Sequence, residues 1–299
     1  MGEKIYKIRK LTPKECFRLM GVSDSDIARI QGAGISESQQ YKLAGNSIVV
    51  DVMENIFDSL LFQEFMRGPI NVVTTFSGYD SQCLALRKAK IPFNLVAWSE
   101  IDKYAIKAHD ALFPEYSDRN LGDICQVDWS GIKDEIDLFT YSSPCQDFSN
   151  AGLRRGGLEG SGTRSSLLWE VKKAIMAKHP RILMMENVKN LVSTKFLPTF
   201  QKWLDWLEEQ GYMNFWEVLN AKDYGIPQNR ERVFVISLRD PGWFFFPQPF
   251  PLQRKLRDML EDKVADKYYL PQDKVNKFIA DIPEDRLKAL ENVDSDIVR

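Results

Sequence analysis

The chain has 299 residues, 44% of them hydrophobic, with 40 basic and 42 acidic side chains and a formal net charge of -2. It is long enough to bury a sizeable core, and its even charge neither requires nor excludes nucleic acid, because a binding groove needs only a local excess of Lys and Arg. No apolar run approaches the roughly 20 residues of a membrane span, and the start "MGEKIYKIRK" has no apolar signal region behind it, so a cytoplasmic globular protein is expected. Cys16, Cys83, Cys125 and Cys145 lack the paired short spacings of a zinc site, with only His109 and His179 to supplement them. Neither a metal centre nor a disulfide framework is expected.

In chain order, residues 12–20, 23–30 and 47–65 read as helices, the last with Val49, Val52, Ile56 and Leu60 at helical spacing and an end at "RGP", 67–69. Short apolar runs then alternate with helical patterns. "INVVTTF", "NLVAWSE", "IDLFTY", "RILMMEN" and "RVFVISL" read as strands, and "AIKAHDALF", "SSLLWEVKKAIMAKH" and "FLPTFQKWLDWLEEQ" as helices between them. This is an α/β layout with a mostly parallel, doubly wound sheet and helices on both faces. After Leu238 a Pro- and Phe-rich connector leads into the charged helical patterns "RKLRDMLEDK", "QDKVNKFIA" and "DRLKALEN". The expected organisation is an N-terminal segment, 1–66, a core, 67–240, and a small C-terminal segment, 241–299.

In such sheets ligands bind at the carboxyl ends of the strands. There, "TFSGYDSQCLAL" opens a helix, as nucleotide-binding turns do, although Gly78 is its only glycine, and a plain strand-to-helix turn fits as well. Glu100 in "AWSEID" fits a ribose acceptor or a solvated carboxylate at a helix start; Asp123 in "LGDI" adds an acceptor for an amino group. Free cysteines are commonly inert and buried, which is one reading of Cys145. Pro144 before it, and Gln146, Asp147, Ser149 and Asn150 after it, favour an exposed loop instead. Glu186 and Asn187 end the strand "LMMEN", and Arg230 and Arg232 in "YGIPQNRERVF" lie two apart, on the same side if that segment is extended. Taken singly, these also read as a strand-end carboxylate and an exposed basic pair.

Together these stretches resemble the cytosine-5 DNA methyltransferases, which use S-adenosylmethionine. "PCQDFSNAG" is similar to the family's catalytic loop, "MENV" to its cytosine-binding glutamate motif, "QNRERVF" to its arginine motif and "TFSGYDSQCLAL" to its cofactor loop, with Asp80 and Ser81 in place of glycines. "RKLTPKECFRLMGV" and "YKLAGNSIVVDV" resemble the last two motifs yet open this chain, which implies a circularly permuted member.

The resemblance implies a Rossmann-like methyltransferase sheet, Cys145 as nucleophile, and Glu186, Arg230 and Arg232 as its catalytic partners. It implies S-adenosylmethionine held by Phe76, Gly78, Glu100, Ile101, Asp123, Ile124 and Pro144, with Asn46 and Ser47 reaching in from the N-terminal segment. It further implies a cytosine flipped out of double-stranded DNA, Ser149 and "AGLRRGGLEGSG" closing on that DNA through Arg154 and Arg155, and a prokaryotic or viral restriction-modification setting. Only about sixty residues follow Leu238, so the target-recognition region is expected to be short or missing. The alternatives are a catalytic subunit needing a second polypeptide for recognition, and an RNA-directed relative.

Overall fold

Alternation along the strands decides which helices lie on which side. A computed structural model describes residues 6–143, 164–280 and 282–283. Its strands are β1 (Ile70–Thr75), β2 (Phe93–Ser99), β3 (Leu138–Tyr141), β4 (Ile182–Val188), β5 (Met213–Asn220) and β6 (Glu231–Leu238), ordered β2-β1-β3-β4-β6-β5 in one sheet. Val72, Leu138, Met184 and Ile236 point into one apolar cluster; Val73, Phe139, Leu183 and Val235 point into another. The period of two thus coats both faces of the sheet. The first cluster is completed by α1 (Pro13–Arg18), α2 (Asp24–Gly32), α3 (Glu37–Asn46), α4 (Val50–Phe62), α5 (Ser81–Lys88) and α6 (Lys103–Leu112), the second by α7 (Val171–Lys178) and α8 (Leu197–Glu209).

The strands β2, β1, β3 and β4 are parallel, as expected, but β6 runs antiparallel to β4 and to β5. The start of β6, rather than its end, therefore meets the carboxyl edge of β4, with Arg232 opposite Val188. Strand β5 and helix α3 were not foreseen. β5 is an edge strand in which only Leu219 is buried, and α3 buries only Gln40, Leu43 and Ala44, so neither carries a strong apolar period. Helix α4 starts at Val50 rather than residue 47, because Ser47 and Val49 have extended backbone. The helix expected over 165–179 is a 3-10 turn, Arg164–Glu170, before α7 begins.

Trp203 of α8 is fully buried, and its indole N–H donates to the Tyr141 hydroxyl at 3.1 Å, bracing the end of β3. Truncating so large a buried ring leaves a cavity that its neighbours only partly fill. Trp203→Ala should lower stability by about 3–5 kcal/mol, read as a lower urea midpoint with an unchanged slope.

Beyond β6 the connector crosses α4, where Gln63 and Phe245 exchange two hydrogen bonds of 2.9 Å. The following residues return to the N-terminal segment rather than standing apart. Leu270 N–H donates to Ile8 O at 2.8 Å and Lys10 N–H to Tyr268 O at 3.1 Å. The buried carboxylate of Glu15 accepts two 2.7 Å bonds from Arg9 and one of 2.8 Å from the Glu261 N–H. Burial pushes the Glu15 carboxyl up, but these donors outweigh it and hold the group below the ordinary glutamate range. "RKLRDMLEDK" forms only the 3-10 turn Leu256–Met259, "QDKVNKFIA" forms α9 (Gln272–Ala280), and "DRLKALEN" lies outside the described residues.

Candidate active site

Three residues in five at the end of β1 take left-handed backbone: Phe76, Gly78 and Asp80, with φ of 53°, 59° and 64°. This coils the loop so that the Gly78 N–H donates to Glu100 Oε2 at 2.9 Å, while Glu100 Oε1 accepts the N–H groups of Ile101 and Asp102, each at 2.8 Å. The ends of β1 and β2 are thereby tied through one carboxylate, which keeps lone pairs for further donors. A Cβ built on Gly78 would meet nothing within 4 Å, and Ile101 is 71% exposed, so backbone and an apolar side chain border open space beside Glu100. Residues 120–124 lie alongside, held by Leu121 N–H to Trp98 O and Ser99 Oγ to Gly122 O, both 2.7 Å. They carry exposed Asp123 and buried Ile124. An acceptor with free lone pairs, an exposed apolar side chain and a second acceptor suit a ligand that carries a diol, a flat apolar face and an amino group.

Asp80 takes a left-handed conformation that favours glycine, φ 64°, while its side chain turns inward. Its fully buried carboxylate accepts from Thr74 Oγ1 at 2.9 Å and from the Cys83 N–H at 3.3 Å, capping α5. His109 Nε2 lies 3.7 Å away, in a ring stacked on Trp98 with centroids 3.6 Å apart. Burial pushes Asp80 up to about 6 and His109 down to about 4. Below pH 6.5 the unfolded chain binds a proton at His109 that the folded chain refuses, so this group costs stability as pH falls from 6.5 toward 4. His109→Phe keeps the stacked ring and removes that cost. Its melting temperature relative to wild type should therefore be more favourable at pH 5 than at pH 7.5, by an amount corresponding to about 2 kcal/mol.

The second cluster sits across β3. Glu186, near the end of β4, is 8% exposed, and its Oε1 lies 3.2 Å from Arg232 Nε. Burial raises its pKa, opposed by the charges of Arg232 and Arg230. Asn187 Nδ2 donates to Ser143 O at 3.2 Å, tying β4 to the backbone two residues before position 145. The two arginines make different contacts, although the charges of both act on Glu186. Arg232 faces Glu186, whereas Arg230, just outside β6, donates to Gly45 O at 3.1 Å and Ser47 O at 2.7 Å in the N-terminal segment. The segment is not a uniform extended strand there: β6 begins only at Glu231, and the Arg230 N–H donates to the Asn220 side-chain Oδ1 at 3.0 Å. Val188, Lys189, Gln228, Arg230 and Arg232 line a cavity of about 690 Å³ beside this cluster.

Of the residues expected from sequence, the structure brings Phe76, Gly78, Glu100, Ile101, Asp123 and Ile124 to one part of the carboxyl edge and Glu186 and Arg232 to another. Arg230 and Ser47 lie between the two segments that carry them, with Asn46 exposed next to Ser47. Pro144, Cys145, Ser149, Arg154 and Arg155 lie outside the described residues. The Asn187–Ser143 link and the inward carboxylate of Asp80 were not anticipated. The first had a signal in the position of Asn187 directly after Glu186; the second had one only in an acidic residue replacing a glycine.

Among the described residues, no helix is long and apolar enough to cross a membrane, and no group of three or more His, Cys, Asp or Glu side chains could hold a metal ion. The family model for C-5 cytosine-specific DNA methylase matches residues 2–61 and 70–296. The type II methyltransferase M2.ScrFI of Lactococcus lactis subsp. cremoris is 39% identical over 259 residues, covering 69% of this chain and 72% of that protein. The orphan methyltransferase M.SPRI of Bacillus phage SPR is 32% identical over 251 residues, covering 74% of this chain but only 56% of that protein. Among solved structures, S. pombe Dnmt2 methyltransferase superposes with a TM-score of 0.55 at 19% identity, covering 72% of this chain and 67% of that one. The Entamoeba histolytica methyltransferase EhMeth gives 0.57 at 19% identity, covering 69% and 64%. These two likenesses concern the fold, a Rossmann-like methyltransferase sheet. With nearly the whole chain matched by the family model and a relative at 39% identity, the chain belongs to the C-5 cytosine-specific DNA methylase family.

Proposed function

We propose that this chain transfers a methyl group from S-adenosylmethionine to carbon 5 of cytosine in DNA. The observation that carries the reading is the pair of buried Glu186 and partly exposed Arg232 at the carboxyl edge, one strand from the strand leading to Cys145 and two from the Gly78–Glu100 loop. A cytosine carbon is a poor nucleophile, and attack of the Cys145 thiolate on carbon 6 activates it. Charge then grows on the ring. Glu186 holds ring nitrogen 3 and the exocyclic amine, and Arg232 holds the carbonyl oxygen. S-Adenosylmethionine supplies the electrophilic methyl group. Once carbon 5 is methylated, loss of its proton re-forms the ring double bond and expels the cysteine thiolate.

A stacked base cannot reach these groups, so the cytosine is flipped out of the duplex toward Glu186 and Arg232. Ser149, Arg154 and Arg155 are assigned to DNA contact by the motif resemblance alone, the arginines to phosphates. Pro144 and Phe76 complete the cofactor side, with Asn46 and Ser47 contributed by the N-terminal segment. Circular permutation accounts for that contribution. It is supported by the break between the two matched blocks at residues 62–69, and by the pairing of residues 8–10 with 268–270. The setting is the cytoplasm of a bacterium or of a phage-infected cell, as part of restriction-modification or as an orphan enzyme.

The test is transfer of labelled methyl groups from S-adenosylmethionine to DNA by the isolated chain, with RNA as a parallel substrate. Incorporation into DNA at carbon 5 of cytosine supports the reading, and incorporation into RNA alone overturns it. No transfer until a partner polypeptide is added favours a separate recognition chain.

A further inference from the structure

Helix α3 ends without the usual devices. It has no basic residue in its last turn, and its C-cap is Ser47 in extended backbone rather than a left-handed glycine. Its last carbonyls need donors, and the negative end of the helix favours a cation. Arg230, distant in sequence, supplies both, through its bonds to Gly45 O and Ser47 O. The arginine is aimed by a clamped backbone: its N–H donates to Asn220 Oδ1 at 3.0 Å, and its C=O accepts from the Ala221 N–H at 3.1 Å.

The guanidinium charge reaches two further groups. Burial pushes the Tyr79 hydroxyl up, with Ser47 and then the Arg230 charge opposing it; Tyr79 directly follows Gly78 in the cofactor loop. On the other side the same charge acts on Glu186 after that of Arg232, two residues along the chain. Arg230 thus holds the Asn46–Ser47 turn by two hydrogen bonds, and its charge acts on the Tyr79 hydroxyl and on Glu186, while Arg232 makes the ion pair with Glu186.

The geometry points to Arg230 as a positioning residue that couples the two halves of the site, its guanidinium holding the Asn46–Ser47 turn in the place where it completes the cofactor pocket. This rests on the methyltransferase reading above and assigns to Arg230 a role separate from that of Arg232. The coupling is carried by a rigid connection: the chain that places Arg232 against Glu186 also fixes the end of α3.

The experiment uses the full chain, with S-adenosylhomocysteine as the calorimetric probe and methyl transfer to DNA as the second readout. Arg230→Met should raise the dissociation constant for S-adenosylhomocysteine by about tenfold, within the usual range for coupled sites. The KM for S-adenosylmethionine should rise with it. Arg230→Lys, which keeps the charge and a donor, should recover part of the affinity. Arg232→Lys should lower kcat while leaving S-adenosylhomocysteine affinity at the wild-type value. Melting temperatures identify the folded fraction, so affinities are compared among folded proteins. If folded Arg230→Met binds S-adenosylhomocysteine as wild type does, the coupling is overturned and Arg230 serves stability or base contact only. A folded wild-type chain that binds no S-adenosylhomocysteine overturns the functional reading itself, and the coupling with it.

Discussion

Glu186→Gln should lower kcat for methyl transfer by about 10²–10⁴-fold, the usual contribution of a positioned proton donor or acceptor, while leaving the dissociation constant for S-adenosylhomocysteine unchanged. The residue is 8% exposed, and burial raises its pKa against the pull of Arg232 and Arg230. Its acid form therefore persists to higher pH than that of an ordinary glutamate, and in that form it can donate to ring nitrogen 3 as charge develops there. The sign follows. One limb of the wild-type kcat/KM profile should fall as pH rises through this raised pKa, because the ionised carboxylate no longer donates. Glutamine fills the same volume and keeps a hydrogen bond to the ring but neither gains nor loses a proton, so the variant's profile should lack that limb. A variant that retains the limb would assign it to another group.

Cys145→Ser should abolish methyl transfer to DNA, with no product above background. The thiolate is the species that adds to carbon 6, and a serine hydroxyl is far too weak an acid to present the equivalent anion near neutral pH. A duplex carrying 5-fluorocytosine separates this from a folding defect. Fluorine replaces the departing proton, so the wild-type chain should be held as a covalent complex that survives denaturing electrophoresis, and Cys145→Ser should not. Retained trapping by the serine variant sinks the assignment. Glu186→Gln should trap more slowly than wild type, because Glu186 assists formation of the adduct rather than being part of it.

Much of the site was legible because its signals are local. Gly78, Glu100 and Glu186 each lie at or just beyond a strand's carboxyl end, and a strand end is readable from where an apolar run stops. Helices on both faces were equally readable from the alternation of strand and helix patterns, whereas which of Val72 and Val73, or Leu138 and Phe139, meets which layer came from the structure. What escaped were elements whose stability comes from elsewhere. Helix α3 has little apolar face of its own and is finished by an arginine far along the chain, and β5 needs only one neighbour and a partly wet surface.

The sequence by itself therefore determined the α/β class, the strand ends that carry chemistry and, through motif resemblance, the family. Only the tertiary structure separated Arg230 from Arg232. Two residues of the same type, two apart, look equivalent in one dimension. The antiparallel β6 brings Arg232 opposite Val188 and within 3.2 Å of Glu186, while the turn before it directs Arg230 to the carbonyls of Gly45 and Ser47. Likewise, Asp80 read as a poor substitute for glycine until its carboxylate was found inside the fold, satisfied by Thr74 and the Cys83 N–H. Both cases have one cause: a side chain's charge is written in the sequence, but the partner that neutralises or orients it is chosen by segments that meet only when the chain has folded.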